Sequence, residues 1–323
     1  MRFFLLGAEL EQETSATPKR VWLITDGKPG HLNQLRGLGQ RLQHYASVEL
    51  IEVPVQGSGW WCWLKGSNPC DAAAAPDLVI AAGSRTQPWL LAARRHFNCP
   101  AVLLMRPFLP YGWFDAVIVP AHDQPPARPN VLVTQGVVNA VQPGESPAGA
   151  EQQLLLVGGE SRHYGWDSAA LAAQIQALVM EASGAEFVLS DSRRTPADFI
   201  PRLQACNLPR LKILSHQQTP AGWLPRAMAD AHGIWVTPDS VSMVYEAITS
   251  GRPTGIFNLP ESGCGRIVAG IEQLAQAGWL TRFDQRDQPP ARPAGQLWEA
   301  DRAARWLLTR LPFHFNIRNP LQE

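Results

Sequence analysis

The chain has 323 residues, 45% of them hydrophobic and 17% charged, and its 28 basic and 28 acidic side chains cancel. So apolar a composition excludes an intrinsically disordered chain, and the cancelled charge argues against a dedicated nucleic-acid binder, which carries a basic excess. The length suits two domains, each able to bury a core. No apolar run reaches the ~18 residues that a spanning helix needs. Met1–Leu10 is short, meets Glu9 quickly and lacks a small-residue cleavage site, so no signal peptide is expected. Cys62, Cys70, Cys99, Cys206 and Cys264 are scattered without a C-x-x-C pair, which fits free thiols in a reducing, cytoplasmic setting.

Residues 1–20 read as an N-terminal extension. From Val21 the pattern alternates between strand and helix, the signature of α/β layers with parallel sheets. Val21–Thr25 is a continuous apolar run, typical of a strand buried on both faces. A helix follows over Leu32–His44, then strands over Val48–Val53, Leu78–Ala81, Ala101–Leu104, Ala116–Val119 and Val131–Val133, with a helix at Trp89–His96. Residues 21–140 therefore form one doubly wound domain. Residues 141–152, rich in Pro, Gly and Ser, read as a linker. The rhythm then restarts over 153–296. Strands are expected at Leu154–Val157, Glu186–Ser190, Leu211–Leu214, Gly233–Val236 and Thr254–Phe257. Helices are expected at Ala169–Ala182, Pro196–Cys206, Ser240–Ser250 and Arg266–Ala277, and Gln285–Gly295 reads as a loop. Residues 297–323 form a last helix, Leu297–Leu311, with a tail, and Leu297, Trp298, Trp306, Leu307 and Leu311 make its packing face. Two such domains leave a cleft, and ligands in these sheets bind at the carboxyl ends of strands.

The strand-end loops carry the candidate chemistry. Asp26-Gly27-Lys28-Pro29-Gly30-His31 opens a helix and concentrates polar groups, with Asn33 and Gln34 just beyond. Its spacing matches neither a P-loop nor a G-x-G-x-x-G fingerprint, and an ordinary βα turn is the competing reading. Ser84 or Thr86 can cap the next helix while Arg85 reaches the cleft; Arg106-Pro107 occupies the same kind of position. His122-Asp123 is a candidate proton-transfer pair, although neighbours on a loop often point apart. Gly158-Gly159 follows an apolar strand, where a backbone can hug a phosphate or simply turn. Arg193 and Arg194 either grip a phosphate or form a solvated loop tip. At Thr237–Glu246, Ser240 and Ser242 open a helix whose hydroxyls and free N–H groups suit a diphosphate. Glu246, one turn after Ser242, can accept both hydroxyls of a ribose. There is no H-E-x-x-H, no metal-spaced Cys/His cluster, no G-x-S-x-G and no Asp-x-Asp, so chemistry without metal or cofactor is expected. Trp60, Trp61 and Trp63 form an aromatic group that is either an exposed patch, a buried helix or a membrane-facing loop.

Taken together, DGKPGHLNQ (26–34), PDLVIAAGSRT (76–86), LMRP (104–107), FDAVIVPAHD (114–123), LLLVGGESRHYGW (154–166), SDSRRTP (190–196) and TPDSVSMVYE (237–246) resemble the mitochondrial-fission ELM family of bacterial and plant proteins. More distantly the architecture is similar to the two-domain GT-B glycosyltransferases, the lipid-linked peptidoglycan N-acetylglucosaminyl transferases among them. Those have a Gly-rich first loop ending like Gly30-His31 and a helix with a Ser-rich start and a ribose-binding Glu, like Ser240, Ser242 and Glu246. The bulkier loop of this chain departs from theirs, so the acceptor does not carry over.

The resemblance implies a GT-B-like fold, two Rossmann-like domains facing a cleft, and a cytoplasmic transferase, peripheral at the inner face of the membrane. It would move a sugar from a nucleotide-diphosphate donor, a UDP-sugar foremost, to a lipid-linked or envelope saccharide. Gly158, Gly159, Ser240, Ser242 and Glu246 would bind the nucleotide, with Arg162 or Arg193 stabilising the departing diphosphate. His31, or else Asp26, would take the acceptor proton. Gly27, Lys28, Gly30, Arg85 and Arg106 are the acceptor-site candidates. The alternatives are a nucleotide-sugar epimerase, with His122-Asp123 as its second acid/base, and a non-catalytic scaffold that kept the fold.

Overall fold

The computed structural model describes residues 17–68, 70, 74–145, 151–182, 184–220, 222–262, 265–288 and 295–311. Most of the expected N-terminal extension (1–16), part of the linker (146–150), Cys264, most of the predicted loop (289–294) and the tail (312–323) lie outside the described residues.

The first lobe runs β1 (Lys19–Thr25), α1 (Pro29–Tyr45), β2 (Val48–Pro54), α2 (Trp60–Lys65), β3 (Leu78–Ala82), α3 (Gln87–Phe97), β4 (Ala101–Leu104), β5 (Ala116–Pro120) and β6 (Val131–Thr134). Its six strands are all parallel, in the order β2-β1-β3-β4-β5-β6. The central strands are apolar because both faces are covered: every residue of β3, β4 and β5 is buried. Leu35, Leu38 and Leu42 of α1 seal one face, and Leu90, Leu91 and Ala93 of α3 the other.

The second lobe runs β7 (Gln152–Leu156), α4 (Ser168–Glu181), β8 (Glu186–Ser190), α5 (Phe199–Ala205), β9 (Leu211–Leu214), α6 (Trp223–Asp230), β10 (Gly233–Val236), α7 (Val241–Thr249), β11 (Thr254–Ile256), α8 (Arg266–Gln276) and β12 (Thr281–Arg282), and a last helix, α9 (Glu299–Arg310), follows it. Its sheet is also all parallel, in the order β12-β11-β10-β7-β8-β9. Each sheet therefore reverses direction once, between β1 and β3 in the first lobe and between β7 and β10 in the second. Crevices at such reversals are where open α/β sheets take ligands.

All the predicted strands are present, their ends shifted by at most two residues. Sequence patterning missed β12, which is two residues long, and α6. The helix expected from Pro196 begins at Phe199, after a turn in which the Phe199 amide donates to the Pro196 carbonyl at 3.1 Å. Val141, read as the first linker residue, is already part of the second lobe's core.

The last helix differs most from expectation, because the predicted packing face is divided between lobes, its first residue, Leu297, preceding α9. Leu297 lies in the second-lobe core, whereas Ala300, Ala303, Ala304, Leu307 and Leu308 belong to the core beneath α1. A polar clasp fixes the crossing. Asp301 Oδ1 accepts from Arg41 Nε at 2.8 Å and Tyr45 Oη at 2.7 Å, and Oδ2 accepts from Arg305 Nε at 2.8 Å. The Arg41 guanidinium also lies 4.0 Å from the Trp298 ring centroid. The chain thus ends its described course by returning to the lobe where it began.

Candidate functional site

Two clusters stand at the two reversal points. In the first lobe, the loop after β1 brings Asp26 to His31 in the first turn of α1, with Nδ1 and Oδ1 2.8 Å apart. Both side chains are largely buried, 6% exposed for Asp26 and 14% for His31. Burial pushes the Asp26 carboxyl upward, but the His31 hydrogen bond, the Lys28 amide and the charges of His31 and Lys28 outweigh it and hold the group below its usual range. An ionised carboxylate can only accept, so Nδ1 carries the hydrogen. In the neutral ring that leaves Nε2 as the free acceptor, the arrangement of a general base held by a carboxylate. The loop after β3 makes room for it. Gly83 has φ +92°, and a Cβ there would lie 2.3 Å from His31 Cε1. No side chain fits at Gly83 while the imidazole stays in place.

Of the other first-lobe candidates, Gly27, Lys28 and Gly30 are exposed around the dyad. Lys28 Nζ approaches Asp26 Oδ2 at 3.6 Å. Arg85 is exposed and lines, with Asp26 and Ser84, a groove of about 590 Å³ that runs along Trp60, Trp89 and Phe108. Thr86 is buried and donates to the Ala82 and Gly83 carbonyls, so it caps nothing. Arg106 is exposed at the end of β4, after Met105 at φ +77°. His122 and Asp123 stand at the end of β5, and no hydrogen bond joins their side chains. Burial lowers the His122 pKa; Arg266 on α8 adds to that and Asp123 opposes it.

In the second lobe the paired glycines are engaged by neighbouring loops of the protein. The Gly158 amide donates to Thr237 Oγ1 at 2.8 Å and the Gly159 amide to Asp239 Oδ2 at 3.0 Å. A Cβ at Gly158 would lie 2.2 Å from Asp239 Oδ2, and one at Gly159 would lie 2.0 Å from the Arg194 carbonyl oxygen. Their amides and their missing side chains thus serve the packing of three loops. Asp239, which is 0% exposed, is the hub, taking a further bond from Arg194 Nη2 at 2.7 Å. Of the adjacent arginines, Arg194 is committed to this ion pair, whereas Arg193 and Arg162 are exposed.

Ser240 stands at the N-terminus of α7 without capping it through its side chain, and Ser242 is exposed in the first turn. Among the described residues neither hydroxyl has a protein partner. Glu246, one turn further, accepts from Asn33 Nδ2 at 2.8 Å. Asn33 Oδ1 in turn receives the Ala140 amide at 3.4 Å. Burial pushes the Glu246 carboxyl up to about 7 against the opposing pull of the Asn33 bond. As a residue Glu246 is half-buried. Asn33 lies in the same first turns of α1 as His31, so one helix of the first lobe carries both the imidazole of the dyad and the partner of Glu246.

One pair escaped the sequence reading altogether. Asp191 Oδ1 accepts the His216 amide at 2.6 Å and lies 2.9 Å from His216 Nδ1, linking the ends of β8 and β9. The signal was available: each residue follows a predicted strand, and adjacent parallel strands set those ends side by side. Among the described residues no group of three His, Cys, Asp or Glu could hold a metal ion, and no helix is long and apolar enough to cross a membrane.

Two doubly wound lobes with facing reversal points define a GT-B-like protein, a fold shared by nucleotide-sugar epimerases and glycosyltransferases. A protein of Listeria monocytogenes assigned as a UDP-N-acetylglucosamine 2-epimerase superposes with a TM-score of 0.61 at 14% identity, covering 92% of this chain and 97% of the other. The UDP-GlcNAc 2-epimerase of Methanocaldococcus jannaschii gives 0.54 at 12% over 91% and 100% of the two chains. That of Neisseria meningitidis, bound to UDP-GlcNAc, gives 0.52 at 11% over 92% and 100%. At these identities the likeness is one of fold. Residues 29–311 match the family model described as Mitochondrial fission ELM1, and the chain belongs to that family. The uncharacterized protein RP120 of Rickettsia prowazekii (strain Madrid E) is 25% identical over 248 residues, 62% of this chain and 70% of the relative.

Proposed function

We propose that this chain is an enzyme acting on a nucleotide-diphosphate sugar, a UDP-sugar in the first instance, with the nucleotide on the second lobe and the proton-transfer group on the first. The observation that carries this reading is the Asn33–Glu246 hydrogen bond, which ties the helix bearing His31 to the carboxylate suited to a ribose. In this reading Ser240, Ser242 and the open N–H groups of α7 hold the diphosphate, and Glu246 accepts from the ribose hydroxyls. Gly158 and Gly159 act one step back, shaping the loop through Asp239. Arg162 and Arg193 bring positive charge to the departing diphosphate without a metal. His31 Nε2 moves the proton, with Asp26 fixing the ring. Gly27, Lys28, Gly30, Arg85 and Arg106 border the end of the cleft away from the nucleotide.

Within this class, epimerisation of the sugar comes first, because the three similar structures above carry the names of UDP-GlcNAc 2-epimerases. Inverting a carbon requires that a proton leave one face and return to the other. The dyad supplies one group. His122, the second group named from the sequence, stands three strand positions from β1, about 14 Å across the sheet. Transfer to a separate acceptor has its own support in the groove of about 590 Å³ leading away from Asp26, which gives a second substrate room.

Incubation with UDP-GlcNAc alone, followed by NMR, separates the readings. A C2 epimer formed without acceptor supports epimerisation. An unchanged sugar with clear thermal stabilisation supports transfer; a ligand at 100 times its dissociation constant adds about 2.7 kcal/mol. No stabilisation by any UDP, GDP, CDP or ADP sugar refutes both and leaves the scaffold.

A further inference from the structure

We propose that the α2 face of the first lobe docks on an anionic lipid bilayer. Helix α2 contributes no buried residue to the lobe. Trp61 is 68% exposed and Leu64 59%, and they share one side of the helix by i, i+3 spacing. Phe108 and Trp113, also exposed, extend the surface through ring contacts: Phe108 with Trp60 at 6.4 Å, Trp60 with Trp63 at 5.7 Å, and Trp63 stacked on Trp113 at 5.9 Å.

This is a fixed surface. Arg95 Nη1 donates to the Trp63 carbonyl at 3.0 Å, His96 Nδ1 lies 2.9 Å from the Gly66 carbonyl, and the Ser67 amide donates to the Cys62 carbonyl at 3.1 Å. The exposed rings are therefore held out to solvent by a braced helix.

Charge selects the partner. In a chain whose charges cancel, the stretches 55–70 and 84–114 contain no Asp or Glu, yet they carry Lys65, Arg85, Arg94, Arg95 and Arg106. Arg94 is paired with Asp115, and the other four cations are exposed. Arg85 precedes α3 and Arg95 lies near its end, about 15 Å away, so positive charge brackets α2 at both ends. Lys65 Nζ sits 5.9 Å from the Trp61 ring centroid, able to reach headgroups while the ring lies at the interface. Indole rings at headgroup depth with a cationic rim are the chemistry of an anionic membrane surface. The groove along Trp60, Trp89 and Phe108 connects this face to Asp26. A substrate anchored in lipid would reach the dyad along it, a consequence that rests on the functional reading, whereas the docking does not.

Flotation of the full chain with phosphatidylglycerol-containing vesicles, against pure phosphatidylcholine, tests the proposal. The chain floats with the anionic vesicles, is released by high salt and stays down with the neutral ones. Trp61→Ser with Leu64→Ser lowers partitioning more than tenfold without changing the melting temperature, since both side chains are exposed. Lys65→Gln and Arg106→Gln each lower it about fivefold. No flotation, equal flotation on neutral vesicles, or wild-type flotation of the Trp61/Leu64 variant overturns the proposal, as does dimerisation through this face without flotation. Nucleotide binding by the Trp61/Leu64 and Lys65 variants, whose residues lie outside the proposed site, is unchanged, so failure here and failure of the enzymatic reading are separately visible.

Discussion

Glu246 gives the sharpest quantitative test, because its carboxyl is pushed up to about 7 from an ordinary 4.5. Burial disfavours the charged form more than the Asn33 amide compensates, so the folded protein holds this proton more tightly than the unfolded chain does. The stabilisation is fully present below about 4.5 and is lost as pH rises through 7. At 1.36 kcal/mol per pKa unit, the cost of ionising Glu246 in the fold is on the order of 3 kcal/mol at pH 8. Glu246→Gln keeps the shape and the Asn33 contact while abolishing the charge. It should match wild type at pH 4 and exceed it by up to about 3 kcal/mol at pH 8, read as thermal or urea denaturation across that range. The same variant should lose nucleotide binding. A ribose diol donates to the carboxylate, so wild-type affinity should fall as pH drops below 7, with proton release on binding visible by calorimetry in buffers of different ionisation enthalpy. A stability difference between Glu246→Gln and wild type that is flat with pH would refute the reasoning, and a tight nucleotide complex of the variant would refute the ribose role.

Four further outcomes follow from the geometry. His31→Ala should abolish turnover while leaving nucleotide stabilisation intact, and Gly83→Ala should reproduce that loss because its Cβ takes the space of the imidazole; the φ of +92° adds a cost of about 1–3 kcal/mol, measurable by melting. Asn33→Ala removes the bond that lowers the Glu246 pKa, so the pH at which stability is lost should move further upward; if ribose must displace Asn33, nucleotide affinity should also rise, as calorimetry would show. Asp239→Ala leaves the buried Gly159 amide without its acceptor, while the half-exposed Arg194 turns to water, and should cost the protein about 1–3 kcal/mol, with the glycine loop the first site of limited proteolysis. Burial raises the Asp301 pKa, but Tyr45, Arg305 and Arg41 outweigh it and hold the group below 3.8; its contribution is present above that value and lost as pH falls further, so Asp301→Asn should remove an acid-dependent stability of the α1–α9 crossing.

What could be read from the sequence divides along a physical line. The strands were legible because a parallel sheet covered on both faces needs unbroken apolar runs, as Leu78–Ala82 and Ala101–Leu104 are. Polar residues at strand ends were legible because the loops there are free of that demand, which is why Asp26, His31, Ser240 and Glu246 stand out. Partnership was not legible. Asn33 and Glu246 are 213 residues apart, and nothing in either local pattern names the other. The glycine pair at 158–159 shows the same limit: a glycine required by a phosphate and one required by Asp239 leave the same mark in a sequence. The last helix shows it again, since an amphipathic face reports that something is covered without saying which core covers it, and here Leu297 and Leu307 answer to different lobes. Periodicity thus specifies elements, while the site is made by contacts between elements. The switch-point rule bridges the two, because once the strand orders are known it nominates the ends of β1, β3, β7 and β10, the loops that hold His31, Gly83, Gly158 and Asp239.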